Sequence, residues 1–182
     1  MRTRDTSAQT KVTQRDGGRR VWLWAAAAAV VAAAVAGALA YRAVMAPPGV
    51  SLPDQGNRHV QTVNEAIPPY NSDPPTSGPH LPYIAPWGVH TEPIPRLLQV
   101  HNLEDGGVMV QYNCPEGCPD LVAKLKAVVS DYEHQVILAP YPGMKQRLAL
   151  TAWTRLDAFD DFDERRIRRF IKAYRGIDHH TR

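Results

Sequence analysis

The longest apolar stretch of the chain lies near its N-terminus. Residues 21–41 read VWLWAAAAAVVAAAVAGALAY and contain no charged side chain. At about 1.5 Å of rise per residue, a helix of this length crosses the hydrocarbon core of a bilayer. The pattern therefore predicts a transmembrane helix over residues 21–43, with the lipid bilayer as its partner.

Beyond residue 100 the apolar positions follow the periods of short strands and helices. Strand-like patterns cover residues 107–113, 134–141 and 147–154, and helical spacing covers residues 119–132 and 162–174. In the first segment apolar and polar side chains alternate, as in a half-buried strand. The order β-α-β-β-α predicts a small α+β domain in which one sheet carries helices on a face.

A proline-rich segment, residues 68–95, precedes this domain pattern. Nine of its residues are Pro, which excludes long helices and central strands. It also carries more apolar side chains than a solvated linker would. We therefore predict an ordered, irregular wrap that lies on the domain and buries these side chains: Tyr70, Leu81, Tyr83, Ile84, Trp87, Val89 and Ile94.

The charged residues that flank the apolar run predict its orientation. Six Lys or Arg precede it and only Arg42 follows it closely. By the positive-inside rule the N-terminus stays in the cytoplasm and the rest of the chain is extracytoplasmic. We predict an uncleaved signal anchor at the cell membrane, because the run is longer than the roughly 7 to 15 apolar residues of a signal peptide. Cleavage of a signal peptide at one of two small-residue sites, residues 38–40 or residues 44–46, is the alternative.

Five parts follow from these boundaries. They are a cytoplasmic basic tail (1–20), the transmembrane helix (21–43), a linker (44–57), an extracytoplasmic domain (58–176) and a tail (177–182) in which we expect His179 and His180 to be solvated.

The net charge of +3 is unevenly distributed along the chain. Residues 1–46 contain seven Lys or Arg and two Asp, so they carry +5. The remaining residues contain fourteen Lys or Arg and sixteen Asp or Glu, so they carry −2. The basic excess therefore belongs to the membrane leader, and we expect no nucleic-acid partner. The charges indicate no particular protein partner.

Both cysteines of the chain, Cys114 and Cys118, stand in a C-x3-C motif between a predicted strand and a predicted helix. Outside the cytoplasm two such cysteines most often form a disulfide. Cys118 also precedes Pro119 at the helix start, where a thiolate is stabilised and can act as a nucleophile or a soft metal ligand. A disulfide staple, a metal site and a thiol-disulfide oxidoreductase therefore remain open.

Histidines and a carboxylate extend the metal hypothesis. His80 and His101 lie outside the periodic apolar segments, and Asp105 shares a face with His101 if residues 101–105 form a helical turn. We therefore predict a copper or zinc site made from these candidate ligands: His80, His101, Asp105, Cys114 and Cys118. The sequence contains no G-x-S-x-G, H-E-x-x-H or phosphate-binding glycine motif, so a non-enzymatic function is favoured.

Several sequence blocks, in order, resemble a bacterial domain-of-unknown-function family numbered 3105: PPTSGPHLP, APWGV, VHNLEDGGVMVQY, LALTAW and FDERRIRRFIKAYRG. The resemblance implies a membrane-anchored extracytoplasmic domain without an assigned activity. It also implies histidines at the positions of His80 and His101, whereas Asp105 stands where the family pattern commonly has another histidine. Separately, CPEGCP resembles the copper motif of Sco-type chaperones, and this chemical analogy favours copper.

Two main hypotheses therefore stand at this point. One is a membrane-anchored domain that binds a transition metal through His and Cys. The other is a non-catalytic structural or interaction module that is stapled by a Cys114–Cys118 disulfide.

Overall fold

The computed structural model describes residues 16–180, which belong to two compact units, Met1–Ala46 and Pro47–Arg182. The first unit contains helix α1 (Asp16–Met45). Within α1, Arg20–Arg42 is long and apolar enough to cross a membrane. A long N-terminal apolar helix was predicted, and the structure contains one.

The second unit is an α+β fold, as the apolar patterns predicted. Its strands are β1 (Val50–Ser51), β2 (Gly88–Val89), β3 (Val108–Tyr112), β4 (Val136–Pro140), β5 (Leu148–Ala152) and β6 (Arg155–Phe159). Its helices are α2 (Arg96–Glu104), α3 (Pro119–Val129) and α4 (Glu164–Tyr174). The six strands form one mixed sheet in the order β1-β6-β5-β3-β4-β2.

Strand β3 organises the sheet. It pairs in parallel with β4 and antiparallel with β5, so that Val110 lies opposite Leu138 on one side and Leu150 on the other. Its side chains alternate between the two faces, as expected for a strand. Val108 and Val110 belong to the core beneath α3 and α4, whereas Met109 belongs to the core beneath α2.

Helices therefore cover both faces of the sheet rather than one. Helix α2 was not predicted from the sequence, apart from a single helical turn at residues 101–105. Three polar side chains of α2, Gln99, Asn102 and Glu104, are buried. Because these polar residues stand at inward positions, they interrupt the apolar spacing of Leu97, Val100 and Leu103, which alone is too weak to identify a helix.

The proline-rich segment is ordered, and much of it is buried, particularly residues 74–81. Leu81 and Ile94 are buried as predicted. Burial was wrongly predicted for three residues, since Tyr83, Ile84 and Val89 are exposed by 63%, 40% and 44%. Ala85 and Ile94 of this segment belong to the core beneath α2, against which Tyr70 and Trp87 also pack.

Candidate metal centre

A short backbone pairing within this fold places two histidines side by side. The amide of Val60 donates to the carbonyl of His80 at 2.7 Å, and the amide of His80 donates to the carbonyl of Arg58 at 3.0 Å. The bridge pairs His59 with His80. Their ring centroids are 4.9 Å apart, with His80 fully buried and His59 partly exposed.

The last turn of α2 supplies a second set of ligating side chains. His101 and Glu104 are one turn apart, and Asp105 is the C-cap residue. Two hydrogen bonds between the Asn102 side chain and the backbone of Ala85, at 2.8 and 2.9 Å, fix this turn against the proline-rich segment. The helical turn that the sequence predicted for residues 101–105 therefore brings His101 and Asp105 together, with ring and carboxylate 3.8 Å apart.

Glu104 lies at the centre of the cluster. Its side chain is only 1% exposed, and four imidazole nitrogens surround its Oε2 atom. They are His80 Nε2 at 2.9 Å, His180 Nε2 at 3.5 Å, His59 Nε2 at 3.6 Å and His101 Nδ1 at 3.9 Å. The other oxygen, Oε1, accepts a hydrogen bond from Asn57 Nδ2 at 2.6 Å. Such a convergence of imidazoles on one buried carboxylate is typical of a metal-ligand set.

Hydrogen bonds to the protein fix which nitrogen two of the histidines present. His80 Nδ1 lies 2.8 Å from the carbonyl of Gly78, which only accepts, so Nδ1 carries the proton. His180 Nδ1 lies 2.7 Å from a carboxylate oxygen of Asp178. Both rings therefore direct Nε2 at Glu104. A metal-ligating histidine characteristically donates its other N–H to a carbonyl or carboxylate in this way.

The C-terminal tail is held against the end of α2. The amide of Gly176 donates to the carbonyl of Gly106 at 2.8 Å, and the amide of His179 donates to the carbonyl of Glu104 at 2.9 Å. The ring of His179 stacks on Trp153 with centroids 5.8 Å apart. The expectation that the tail histidines are solvated holds for the exposed His180 but not for the half-buried His179, and backbone hydrogen bonds direct the tail onto the cluster.

Local electrostatics differ between the two ends of the cluster. Burial is the largest influence on His101 and lowers its pKa, an effect that Asp105 opposes. A lowered pKa favours the neutral imidazole, which is the form that binds a metal. The hydrogen bond to Asp178 raises the pKa of the more exposed His180.

Nδ1 of His101 is buried and has no hydrogen-bond partner among the described residues, so this polar atom is unsatisfied.

Two overlapping groups of side chains have donor atoms close enough to hold a metal ion. Within each group the donor atoms lie within 4.8 Å of one another. The first group, which we call position 1, consists of His59, His80, His101 and Glu104. The second group, which we call position 2, consists of His101, Asp105 and His180.

Of the five predicted ligands, the structure brings His80, His101 and Asp105 together and leaves the two cysteines apart. Cys114 and Cys118 form a disulfide, as one of the two hypotheses predicted. They follow the C-terminal end of β3, whereas His101 and Asp105 precede its start. The five residues of β3 span about 16 Å at the rise of a strand, far beyond a metal–sulfur bond of about 2.3 Å.

Sequence reasoning missed three members of the cluster, His59, Glu104 and His180. Glu104 carried a usable signal, because it lies three residues after His101 and so shares its helical face. His59 and His180 carried none, since only long-range backbone pairing brings them to α2.

A match to a protein family covers most of the second compact unit. Residues 59–181 match the family described as Protein of unknown function (DUF3105). No curated protein and no solved structure matches the chain. The matched range begins at His59 and includes His180, so it contains every residue of positions 1 and 2. Because this range covers more than half of the sequence, the chain belongs to the DUF3105 family of proteins of unknown function.

Proposed function

We propose that this protein is a membrane-anchored, extracytoplasmic binder of a divalent transition metal ion, which it holds at position 1. The observation that carries the proposal is the arrangement around Glu104. Three imidazoles from three separate stretches of the chain reach one buried carboxylate. Four donors within 4.8 Å of one another match the ligand number of a closed metal site.

Without a cation this cluster would be costly to maintain, which supports a role beyond packing. Burying an ionisable carboxyl group among imidazoles loses hydration that apolar side chains would not require. His101 Nδ1 remains without a hydrogen bond in this environment. A bound cation compensates both the buried carboxylate and the unpartnered imidazole nitrogen, because it neutralises the charge of the carboxylate and accepts the lone pair of the imidazole.

The donor set favours a divalent ion. Imidazole and carboxylate suit Zn²⁺, Cu²⁺ and related ions, whereas Cu⁺ is selected by thiolate and thioether ligands. The sulfurs of Cys114 and Cys118 are engaged in the disulfide. We therefore assign copper binding to Cu²⁺ at nitrogen and oxygen donors, and we expect affinity to follow the order of Cu²⁺ above Zn²⁺.

The membrane part of the proposal rests on α1 and on the disulfide. Lys and Arg residues are concentrated before the apolar run, which favours a cytoplasmic N-terminus. Disulfides persist in oxidising compartments, so the Cys114–Cys118 bridge supports an extracytoplasmic domain. In sealed vesicles of known orientation, protease added to the extracytoplasmic side should digest the domain. Protection of the domain there would contradict this topology.

Metal binding is tested with the full-length chain in detergent micelles, without reductant so that the disulfide is preserved. The chain is stripped with a chelator, incubated with Cu²⁺ or Zn²⁺, desalted and measured for metal content. We expect at least one ion per chain in the wild-type protein and a large loss in His59→Ala and Glu104→Gln. His134→Ala is the matched control, since this exposed histidine lies outside the cluster.

The control variant should retain the wild-type metal content. A wild-type protein that retains no ion would refute the proposal. Equal retention by Glu104→Gln and by the wild-type protein would also refute it, because the central carboxylate would then not be a ligand.

A further inference from the structure

We infer that the centre holds two metal ions, and that the imidazole of His101 bridges them. This inference rests on the proposed function, because it adds position 2 to the ion at position 1. The two ring nitrogens of His101 face different carboxylates. Nδ1 lies 3.9 Å from Glu104 Oε2, and Nε2 lies 3.8 Å from Asp105 Oδ1.

Neither ring nitrogen of His101 is engaged by the backbone, in contrast to His80. His80 uses Nδ1 to donate to Gly78 and presents only Nε2 to the cluster. In His101, Nδ1 is buried without a hydrogen-bond partner, and Nε2 faces the carboxylate of Asp105. His101 therefore offers a donor atom at each side of its ring, which a single-metal site does not require.

Position 2 has its own ligands beyond the shared ring. His180 Nε2 lies 3.6 Å from Asp105 Oδ1 and 3.5 Å from Glu104 Oε2. Asp178 orients the His180 ring through Nδ1, which leaves Nε2 free to bind an ion. The three side chains of position 2 come from the end of α2 and from the C-terminal tail, and His180 is 44% exposed.

The two positions differ in enclosure and therefore in affinity. Position 1 has four protein donors, two of which belong to fully buried side chains. Position 2 has three donors and lies open to solvent, which is the arrangement of a site that keeps a coordination position for water or a small ligand. When both ions bind, the remaining N–H proton of the His101 imidazole is released to solvent, and each ring nitrogen donates one lone pair to one ion. We expect position 1 to fill first.

Titration of the full-length chain in micelles with Cu²⁺ tests this inference. Isothermal calorimetry should give two ions per chain for the wild-type protein, and one ion per chain for His180→Ala and Asp105→Asn with the tighter affinity changed by less than about threefold. His179→Ala is the matched control. It removes the neighbouring imidazole, which stacks on Trp153 and belongs to neither position, and it should retain two ions.

Electron paramagnetic resonance gives a second measurement. Two Cu²⁺ ions that share an imidazole interact magnetically, so the signal per ion should fall between the first and second equivalents in the wild-type protein but not in His180→Ala.

The outcomes separate the two claims. Two ions with the drop in signal support both positions. One ion in the wild-type protein, whether or not His180→Ala weakens it, overturns position 2 and leaves the proposed function intact. Two ions with undiminished signal overturn the bridge. No bound ion overturns the proposed function itself.

Discussion

Replacement of His80 by alanine removes the donor that the fold holds most firmly. The His80 ring is fully buried, and both of its nitrogens have partners, Gly78 O at 2.8 Å and Glu104 Oε2 at 2.9 Å. Four-ligand zinc sites in small domains contribute about 10 to 16 kcal/mol, so one of four donors accounts for roughly 2.5 to 4 kcal/mol. At 1.4 kcal/mol per factor of ten, His80→Ala should weaken binding at position 1 by about 60- to 700-fold.

The same substitution should also destabilise the metal-free fold. It deletes a hydrogen bond to an ionisable group and leaves Glu104 buried with fewer partners, which costs about 2 to 4 kcal/mol. His80→Gln separates the two effects, because its amide can still donate to Glu104 but is a poor metal ligand. We expect His80→Gln to lose less stability than His80→Ala and to lose metal affinity to a similar extent.

The assay is competition with a chromophoric chelator for Cu²⁺ or Zn²⁺ in micelles, with near-ultraviolet circular dichroism to confirm that each variant is folded. His134→Ala serves again as the control and should bind as the wild-type protein does. A folded His80→Ala variant with wild-type affinity would show that the reasoning from position 1 is incorrect.

Three further predictions concern the fold around the centre. A β-carbon in Gly107→Ala would clash with the carbonyl oxygen of Asn102 and lie within 2.9 Å of the Trp87 ring, so thermal unfolding should show a loss of about 1 to 3 kcal/mol, and unchanged stability would argue against this packing. The double variant with Cys114→Ser and Cys118→Ser should lose about 2 kcal/mol in the free energy of unfolding, because the disulfide closes only a short loop, and should bind as many metal ions as the wild-type protein. Loss of metal in this variant would indicate that the cysteines are ligands. Burial raises the pKa of Tyr70 to about 12, above the unfolded value near 10. The contribution of the protonated Tyr70 phenol to the free energy of unfolding is therefore fully present below pH 10 and is lost as the pH rises towards 12. Phenolate absorbance should show one late-titrating group fewer in Tyr70→Phe, and an unchanged curve would contradict the burial.

The sequence predicted the parts of the fold that obey a simple period. The alternation at residues 107–113 correctly identified β3 as a strand, but it predicted a half-buried one, whereas both faces of β3 meet apolar cores and residues 108–111 are fully buried. The same reasoning missed β6, in which Arg155 and Asp157 occupy the strand. Asp157 faces the guanidinium of Arg166 on α4 at 2.9 Å, and this ion pair takes the place of an apolar contact. Phe159 of β6 still belongs to the apolar core, but the charged residues before it interrupt the apolar alternation along the strand.

Only part of the candidate site could be predicted from local sequence patterns. His101 and Asp105 were recognised because four residues of helix join them. His59 and His80 are brought together by a backbone bridge across twenty-one residues, and His180 is brought to α2 by the hydrogen bonds of the C-terminal tail. Such pairings depend on the tertiary fold and leave no periodic trace. The cysteines were predicted as ligands because they lie four residues apart beside a helix start, whereas their sulfurs form a disulfide.

X-ray absorption spectroscopy of the metal-loaded, full-length chain tests the central claim most directly. The claim is that imidazole and carboxylate groups, rather than cysteine sulfurs, bind the ion. We predict a first shell of nitrogen and oxygen at about 2.0 to 2.2 Å, with the outer-shell scattering of imidazole rings and no sulfur near 2.3 Å. A sulfur shell at that distance, or a first shell without imidazole scattering, would contradict the claim.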